Sequence, residues 1–435
     1  MLGFMGPAAS HISSIDRLVG GTSVDADQLQ IMNSPGFASA FHLDEAALAT
    51  AGYANLVFGT PTLDGEAVST FFATPVDIDG QPVPKWATLS GYYDTSTGRP
   101  LQLHCNFAHH HAGVVELLGC ADSREAVQEA ILDWDPVELE TALTTNGMIA
   151  AYLRTLDEWT VHPHAIATAD LPLVTVERIG DGDPRSAAGP TRVLDCSRVL
   201  AGPVAGQMFA AHGADVLRVD SPHLPTVPIC VIATGAGKRN AFLDLRTTDG
   251  AQTMRQLLAD ADVWIDAYRP GALASHGFDL DRAPEGSVVV QLSAFDWRGP
   301  WAGRRGFDSI IQSTTGIVDA GTTAAGAEAP TPLPVQALDY MTGLLAAAAG
   351  EKVRQRQRVE GGTWLVRVSL LRTRNWLLSL GGPDPFTPAT AAVHERHRTT
   401  MDSDFGTLSI PTPLSGSFES PPANPGTSPP RWKNA

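Results

Sequence analysis

The chain has 435 residues, of which 43% are hydrophobic and 18% charged. It is long enough for about two or three domains with ordinary cores, which excludes a disordered chain and a disulfide-stapled mini-protein. The longest apolar runs, such as 343–350, are much shorter than the roughly 20 residues that cross a bilayer, and residues 1–10 show no signal-peptide pattern. The four cysteines are widely spaced, which favours free thiols in a reducing compartment. These features predict a cytoplasmic protein that does not bind a membrane.

The formal net charge of −17 is concentrated in the first part of the chain. Residues 1–189 carry 7 Lys and Arg against 24 Asp and Glu, whereas the remainder is close to neutral. Nucleic-acid binding depends on clustered cations, so a nucleic acid is excluded as a partner. A small polyanionic ligand remains compatible with the near-neutral remainder, where arginines can cluster locally.

The first 82 residues are predicted to form an N-terminal segment without catalytic motifs. Residues 1–35 are rich in Gly, Ser and Asp and show little periodicity, so a loose lead is expected. Residues 36–60 are rich in alanine and predict one helix.

Residues 83–178 predict a small α+β domain. A pair of strands turns at Thr97 and Gly98, and three helices follow, the last one starting at Asp135 and Pro136 and running through residue 153. Gly, Pro, Asp and Ser then dominate residues 179–190, which predicts a linker.

Several metal-binding residue types lie close together in this domain, namely His104, Cys105 and His109–His111. Zinc sites combine ligands from separated pairs, and three consecutive histidines on a helix cannot all face one ion. We therefore favour the alternative, a helix N-terminus with solvent-exposed imidazoles, and predict no metal site.

After the linker, apolar strands alternate with helices of about a dozen residues. The strands are the runs TRVLDCS, ADVLRVD, AFLDL, DVWIDAY and SVVVQLSAF. This alternation predicts parallel βαβ units in a Rossmann-like, doubly wound sheet over residues 191–375. Ligands of such sheets bind at the carboxyl ends of the strands, here Ser197–Leu200, Asp220–His223 and Tyr268–Gly271. Residues 376–435 are rich in Pro, Ser and Gly and predict an extended or disordered tail.

Common nucleotide and hydrolase motifs are absent. The turn that contains Gly202, Pro203 and Gly206 has the wrong glycine spacing for a dinucleotide-binding loop. No GxSxG motif occurs, and GAGKRN at 235–240 lacks the spacing of a P-loop.

Five longer strings carry a more specific signal. In chain order they are VLDCSRVLAGPVAGQMFAAHGADVLRVDSP, GKRNAFLDLRTTDG, ADADVWIDAYRPGALASHGFD, VVVQLSAFDWRGPWAGRRGFDSIIQSTTGI and PLPVQALDYMTGLLAA. Together they resemble the class III coenzyme A transferases of the CaiB/BaiF type, which include formyl-CoA and carnitine-CoA transferases and acyl-CoA racemases. The resemblance covers about residues 190–370. It implies the α/β fold of that class, a Rossmann-like domain with a smaller α+β domain.

The resemblance also implies the partners of the protein. These are an acyl-CoA donor and a carboxylic acid acceptor, with coenzyme A as substrate and no permanently bound cofactor. Residues 91–163 look like the small domain of the family, which usually follows the Rossmann-like domain but here precedes it. An interlocked homodimer is typical of the family, and a homodimer is expected here.

The resemblance places the catalytic nucleophile at Asp339, within Ala337-Leu338-Asp339-Tyr340 and followed by the small residue Gly343. A carboxylate at the start of an apolar helix lies near a positive dipole end, so we expect it to be ionised and exposed. An aspartate that attacks an acyl-CoA thioester forms a mixed anhydride and then an aspartyl-CoA thioester. The alternative role for Asp339 is a helix N-cap. Main-chain amides near Gly316 and Gly343 are expected to form an oxyanion hole.

Five further positions are implied to contact coenzyme A: Val199, Arg246, Tyr268, Ala272 and Arg305. Guanidinium groups pair well with phosphate, and an aromatic ring can stack on adenine. The alternatives are solvated arginines and an ordinary aromatic residue at a strand end. Three more cations, Lys238, Arg239 and Arg269, lie in the same motifs.

These residues predict an acyl-CoA:carboxylate CoA-transferase that works through a covalent aspartyl intermediate. A 2-methylacyl-CoA racemase is the first alternative, but its histidine position falls on Phe307, which cannot transfer protons. A noncatalytic homologue is the second alternative.

Overall fold

The computed structural model describes residues 5–186 and 189–433. The N-terminal elements are α1 (Met5–Val19), β1 (Gln30–Met32), α2 (Leu43–Val57), β2 (Thr62–Asp64), α3 (Gly65–Ala73), β3 (Asp77–Ile78) and β4 (Gln81–Pro82). The helix predicted within 36–60 is confirmed. The loose lead predicted for 1–35 is wrong, because α1 buries Ala8, Ile12 and Ile15 on one face, at a helical spacing of apolar residues.

The next elements build a small module with its own apolar core. They are β5 (Gly91–Tyr93), β6 (Leu101–Leu103), α4 (Ala108–Leu118), α5 (Arg124–Leu132), α6 (Pro136–Thr145), β7 (Ala150–Tyr152), α7 (Leu156–Thr160) and α8 (Pro163–Thr168). The strand pair and the helices are confirmed, but the helix predicted through residue 153 ends at Thr145. Gly147 has a positive φ of 84°, which favours glycine and ends the helix, and β7 then joins the antiparallel sheet β5-β6-β7.

A seven-stranded sheet forms the centre of the remaining chain. Its region comprises β8 (Thr175–Gly180), β9 (Arg192–Cys196), α9 (Ala201–Ala211), β10 (Asp215–Asp220), α10 (Pro228–Gly235), β11 (Arg239–Phe242), α11 (Thr248–Ala259), β12 (Val263–Asp266), β13 (Val288–Ser293), α12 (Asp308–Thr314), α13 (Ile317–Ala325), α14 (Ala337–Glu360), β14 (Thr363–Ser369) and α15 (Leu370–Ser379). The strand order is β11-β10-β9-β12-β13-β14-β8, and only β8 is antiparallel. Four of the five predicted strands are confirmed, whereas the run AFLDL at 241–245 overlaps β11 (Arg239–Phe242) only at its first two residues. Strands β14 and β8 extend the sheet at one edge.

Helices cover both faces of this sheet, so it is doubly wound. Along β12, Val263 and Ile265 pack in the core that contains α9 and α14, whereas Trp264 packs against α11 on the opposite face. This alternation follows from the two-residue period of a strand. The sequence therefore belongs to the predicted α/β class.

The segment predicted as a tail is ordered and connects the two ends of the described chain. Strands β15 (Arg398–Ser403) and β16 (Gly406–Pro411) form a hairpin. This hairpin joins two N-terminal strands in a four-stranded sheet of order β15-β16-β3-β4. Leu408 and Ile410 alternate with polar residues and are fully buried. The expectation of an extended or disordered tail over 376–435 is therefore wrong for this hairpin, because its alternating apolar residues pack against the N-terminal segment.

The proposed division of the chain places boundaries after residues 82, 178, 190 and 375. Residues 187 and 188 of the predicted linker lie outside the described residues, as do residues 1–4 and 434–435. Within the ranges 5–186 and 189–433, no helix has the length and apolar character needed to span a bilayer.

The C-terminal segment is expected to contribute to stability through Trp432. This side chain is 3% exposed, packs in the core beneath α11, and donates from Nε1 to the carbonyl of Leu257 at 3.3 Å. Trp432→Ala removes a buried aromatic side chain and is expected to lower the free energy of unfolding by about 3 to 5 kcal/mol, measured by urea denaturation.

The matched control is Trp86→Ala, because Trp86 is 46% exposed. This control is expected to lower stability much less. A Trp432→Ala loss below about 1 kcal/mol would show that the C-terminal segment does not support the core.

Candidate active site

Asp339 lies in the first turn of α14, where this helix meets the N-terminus of α9, and is 7% exposed. Its backbone N–H donates to Oδ2 of Asp308 at 2.9 Å, and the backbone N–H of Ala201 hydrogen-bonds its carboxylate. Asp308 therefore caps the N-terminus of α14, and the N-terminus of α9 holds the Asp339 side chain.

Helices α9 and α14 approach each other closely because of Gly343. A Cβ atom at this position would lie 2.5 Å from the carbonyl oxygen of Ala201 and 2.8 Å from Cβ of Val204. A glycine here lets α14 pack against α9 one turn after Asp339. The small residue noted in the sequence is thus required by packing.

Two buried carboxyl groups lie together at this helix junction. Burial raises the pKa of Asp339 well above its ordinary value, and the nearby Asp308 raises it further. Burial also raises the pKa of Asp308 to about 6, although it accepts from Gln312 and from the backbone of α14. The expected exposure of Asp339 is therefore wrong, and loss of solvent raises its pKa against the favourable helix dipole.

A cleft of about 300 Å³ opens at the carboxyl ends of β9, β12 and β13. Five of the residues predicted for the site line it: Val199, Tyr268, Ala272, Arg305 and Asp339. The strand ends singled out in the sequence thus meet at one edge of the sheet, as expected for a doubly wound fold.

Arg246 does not line this cleft. It lines an adjoining cavity of about 240 Å³ that shares Tyr268 and Ala272 with the cleft. The Arg246 side chain is 58% exposed, and its Nε lies 2.8 Å from Oδ1 of Asp244. Arg246 and Asp339 therefore line two different cavities, which are neighbours because both contain Tyr268 and Ala272 in their walls.

Three arginines line the cleft, Arg198, Arg269 and Arg305. Within the described part of the chain, none of them forms an ion pair with a carboxylate. Burial lowers the pKa of Arg305, and repulsion from Arg269 and Arg198 lowers it further. Such a concentration of unneutralised cations, in a chain of net charge −17, favours an anionic ligand.

The two other cations noted in the sequence have structural partners. Nζ of Lys238 lies 2.8 Å from Oδ2 of the fully buried Asp195, and Nη2 of Arg239 lies 2.7 Å from Oδ1 of Asp215. Both carboxylates lie within the sheet, so these cations hold strands and helix α9 in place. Neither lines the cleft.

Asp339 also lines a second cavity of about 300 Å³. The two cavities share Val199, Leu200, Phe307 and Asp339. The other walls come from five separate parts of the chain: the end of α3, residues 85–106, helix α10, residues 334–336 and residues 390–393. Asp339 is therefore accessible both to a ligand in the arginine-lined cleft and to a ligand in the second cavity.

His104 lies in the wall of this second cavity, with its ring stacked on Phe307 at a centroid distance of 4.2 Å. It is 6% exposed, its Nδ1 is buried without a hydrogen-bond partner, and burial lowers its pKa to about 4. The imidazole is consequently neutral at pH 7.

The expectation of solvent-exposed imidazoles is wrong for His104 and His110, which are both buried, because Phe107 and Phe307 pack over them. His111 is more accessible and lies 2.6 Å from Asp122. Among residues 5–186 and 189–433, no three His, Cys, Asp or Glu side chains are grouped as metal ligands.

The oxyanion hole expected near Gly316 and Gly343 stays a prediction. Neither glycine itself lines the cleft or the second cavity, whereas Thr342, next to Gly343, lines the cleft. Gly316 packs against the backbone of Leu156, and Gly343 lies under α9 in the interior of a helix.

Comparison with known proteins matches part of the region that forms this site. Residues 190–404 match the family model described as CoA-transferase family III. This segment of the chain is similar to CoA-transferase family III. The chain is 30% identical over 237 residues to the acetyl-coenzyme A transferase nodX of Hypoxylon pulicicidum, covering 53% of this chain and 37% of that protein. It is 32% identical over 180 residues to a succinate–glutarate CoA-transferase of Agrobacterium fabrum, covering 36% and 44%.

A crystal structure of a CaiB/BaiF family protein from Brucella suis matches with 26% identity and a TM-score of 0.40, covering 50% of this chain and 64% of that one. The chain spans less than half the length of the two curated relatives described above. The family III match ends at residue 404, so it includes the first strand of the C-terminal hairpin.

Two residues of the cavities were not predicted from the sequence, Lys85 and His104. Arg198 lies within the predicted strand end Ser197–Leu200, but it was not named as a cation of the site. Arg198 directly follows Ser197 at the carboxyl end of β9, so its position contained the necessary signal. His104 was considered only as a metal ligand. Lys85 lies outside the matched segment, and no motif marks it.

The pair of buried carboxyl groups predicts a pH-dependent stability difference. The folded-state pKa of Asp308 lies above its ordinary value, so the folded state retains a proton that the unfolded state has lost. The stability from this carboxyl is present at low pH and is lost as pH rises through about 6. Asp308→Asn removes the titration. Between about pH 4 and about pH 7.5, urea denaturation should show the variant gaining on the order of 2 kcal/mol relative to the native chain.

The control is Asp281→Asn, because Asp281 is solvent-exposed. Its stability is expected to run parallel to that of the native protein across the same pH range. A parallel curve for Asp308→Asn would contradict the raised pKa of Asp308.

Proposed function

We propose that this chain is an acyl-CoA:carboxylate CoA-transferase in which Asp339 is the covalent nucleophile. The observation that supports this most strongly is the position of Asp339, which lines both the arginine-rich cleft and the second cavity. A transferase needs a reactive group that a polyanionic coenzyme and a carboxylic acid can both reach. Curated relatives named as succinate–glutarate and formyl-CoA:oxalate CoA-transferases support the same activity.

The proposed chemistry balances without an added acid, base or redox partner. An Asp339 carboxylate oxygen attacks the thioester carbonyl, the C–S bond breaks, and coenzyme A thiolate leaves as a mixed anhydride forms. The thiolate then attacks the aspartyl carbonyl and releases the donor acid as a carboxylate. The acceptor carboxylate attacks the aspartyl-CoA thioester, the C–S bond breaks, and coenzyme A thiolate leaves as a second anhydride forms. The returning thiolate finally attacks the acceptor carbonyl, which regenerates Asp339.

Burial of Asp339 has a chemical consequence for the first step. Only the carboxylate form can attack, whereas burial and Asp308 favour the protonated form. The hydrogen bond from Ala201 favours the ionised form, and the three cleft arginines add positive charge on the same side. A desolvated carboxylate is also more reactive toward a carbonyl than a hydrated one.

Substitution of Asp339 tests the nucleophile directly. Asp339→Asn keeps the shape of the side chain and is expected to lower kcat for CoA transfer by at least on the order of a thousandfold. Intact-protein mass spectrometry after incubation with a panel of acyl-CoA thioesters, with hydroxylamine trapping and peptide mapping, is expected to find modification at Asp339 in the native chain only. A variant with most of its activity retained would remove Asp339 from the mechanism.

A second candidate function is favoured by one observation. The histidine position of the racemase branch is Phe307 here, but the neutral imidazole of His104 stacks on that ring and lines a cavity with Asp339. A neutral imidazole and a protonated carboxyl are suitable as a base and an acid for α-proton transfer. Deuterium uptake at the α-carbon of a 2-methylacyl-CoA, without any acceptor acid and without a protein adduct, would assign the site to this activity. Coenzyme binding without either reaction would indicate a noncatalytic homologue.

The arginine-lined cleft is proposed to bind the phosphates of coenzyme A. Val199, Tyr268 and Ala272 would contact the remainder of the coenzyme, and Arg246 would contact it in the adjoining cavity. Arg305→Met is expected to weaken coenzyme A binding on the order of 10-fold by isothermal titration calorimetry. Its affinity for pantetheine, which has no phosphate groups, is expected to stay the same.

The matched control is Arg178→Met, because Arg178 lies on the edge strand β8 and its side chain is 46% exposed. This variant is expected to bind coenzyme A normally. An equal loss of coenzyme A and pantetheine affinity in Arg305→Met would show that Arg305 does not recognise phosphate.

We further propose that the protein works in the cytoplasm as a homodimer. All four cysteines are free thiols, which suits a reducing compartment. The homodimer follows only from the family resemblance.

A further inference from the structure

The second cavity has one cationic residue in its wall, in contrast to the three arginines of the cleft. Among the described residues that line it, Lys85 is the sole lysine or arginine. Nζ of Lys85 donates to the carbonyl oxygen of Ala73 at 2.5 Å. Within the described chain no carboxylate forms an ion pair with this ammonium group. The positive charge of Lys85 is therefore not neutralised by the protein.

The two buried lysines of the chain, unlike Lys85, form ion pairs with carboxylates of the protein. Lys238 and Lys352 are both less than 5% exposed, and each forms an ion pair with a buried carboxylate, Asp195 and Asp16 respectively. Lys85 is exposed as a residue, and partial burial of its ammonium group lowers its pKa. A cation at a partly desolvated wall gains most from an anionic partner that enters the cavity.

The position of Lys85 is fixed relative to Asp339 by a short series of contacts. Ala73, which accepts from Lys85, ends helix α3, and the next residue, Thr74, hydrogen-bonds the phenol of Tyr340 through its hydroxyl. Tyr340 directly follows Asp339 in α14 and stacks on Phe72 of α3 at 4.9 Å. The cation and the carboxyl group are thus held by the same packed cluster.

The remaining walls suit a short hydrocarbon chain. Apolar side chains such as Phe72, Ile229 and Val335 line the cavity between these charged groups. Its volume of about 300 Å³ lies at the lower end of the range for ligand pockets.

We propose that the second cavity binds a short dicarboxylic acid, with one carboxyl group at Asp339 and the other on Lys85. The inference rests on the proposed CoA transfer, and it names the class of acid that the transferase accepts. One ammonium group matches one additional carboxylate, and the apolar walls match the methylene groups between the two carboxyls.

The test compares two acceptor acids that have the same number of carbon atoms, glutarate and pentanoate. The ratio of kcat/KM for glutarate to kcat/KM for pentanoate is measured with one acyl-CoA donor. Lys85→Met keeps the length of the side chain without the charge and is expected to lower this ratio on the order of 10- to 100-fold. Lys85→Arg keeps the charge and is expected to retain most of the preference.

The matched control is Lys433→Met, because Lys433 is exposed and lies near the C-terminal end of the described residues, outside both cavities. Its ratio is expected to equal that of the native protein. Coenzyme A affinity measured by calorimetry shows that each variant still folds and forms the cleft.

Two results overturn the inference and leave the proposed function intact: a native preference for pentanoate, or an unchanged ratio in Lys85→Met. Absence of transfer to any carboxylic acid, together with absence of a covalent adduct on Asp339, overturns the proposed function itself. The two failures are therefore distinguishable.

Discussion

The close contact between α9 and α14 determines where the reactive carboxyl group lies. Gly343 permits it, since any side chain there would meet the backbone of Ala201. The contact places the N-termini of both helices around one carboxyl group, and it removes that group from solvent. Asp308 then satisfies the first N–H groups of α14 from outside the helix. The result is a buried acidic pair whose protonation is governed by desolvation, in a position where the helix dipoles alone would favour ionisation.

Charge is distributed so that the two cavities select different ligands. The net charge of −17 repels polyanions in general, but three arginines without carboxylate partners concentrate positive potential in the cleft. The second cavity holds a single lysine within mostly apolar walls. In the proposed function, a coenzyme with several phosphates binds the first site and an acid with one additional carboxylate binds the second. This arrangement would separate the two substrates and leave Asp339 common to both.

Much of the central fold could be predicted from sequence because its signals are local. Four of the five apolar strand runs and the intervening helices lie where their periodicity predicts, and the strand ends lie along the cleft. Strand β14 was missed although its seven residues form a continuous run, and the hairpin β15-β16 was missed because its strands gain stability from distant partners. The exposure of Asp339 was predicted wrongly for a similar reason. The sequence shows that Asp339 begins a helix. It does not show that α9, whose first residue lies 138 positions earlier in the chain, covers the Asp339 side chain.

The wall of the second cavity has a consequence for the time course of folding. Ser69 Oγ donates to the carbonyl of Ala392 at 2.8 Å, across 323 positions of sequence, and β3 pairs with β16 over a similar separation. The entropy cost of closing a loop rises only logarithmically with its length, so such distant contacts destabilise the folded state little. They form slowly, however. The central sheet can assemble from contacts between neighbouring βαβ units before these distant segments meet. The wall of the second cavity that comes from α3 and residues 390–393 is therefore expected to be completed after the central sheet and its helices, which carry Asp339 and the strand ends of the cleft.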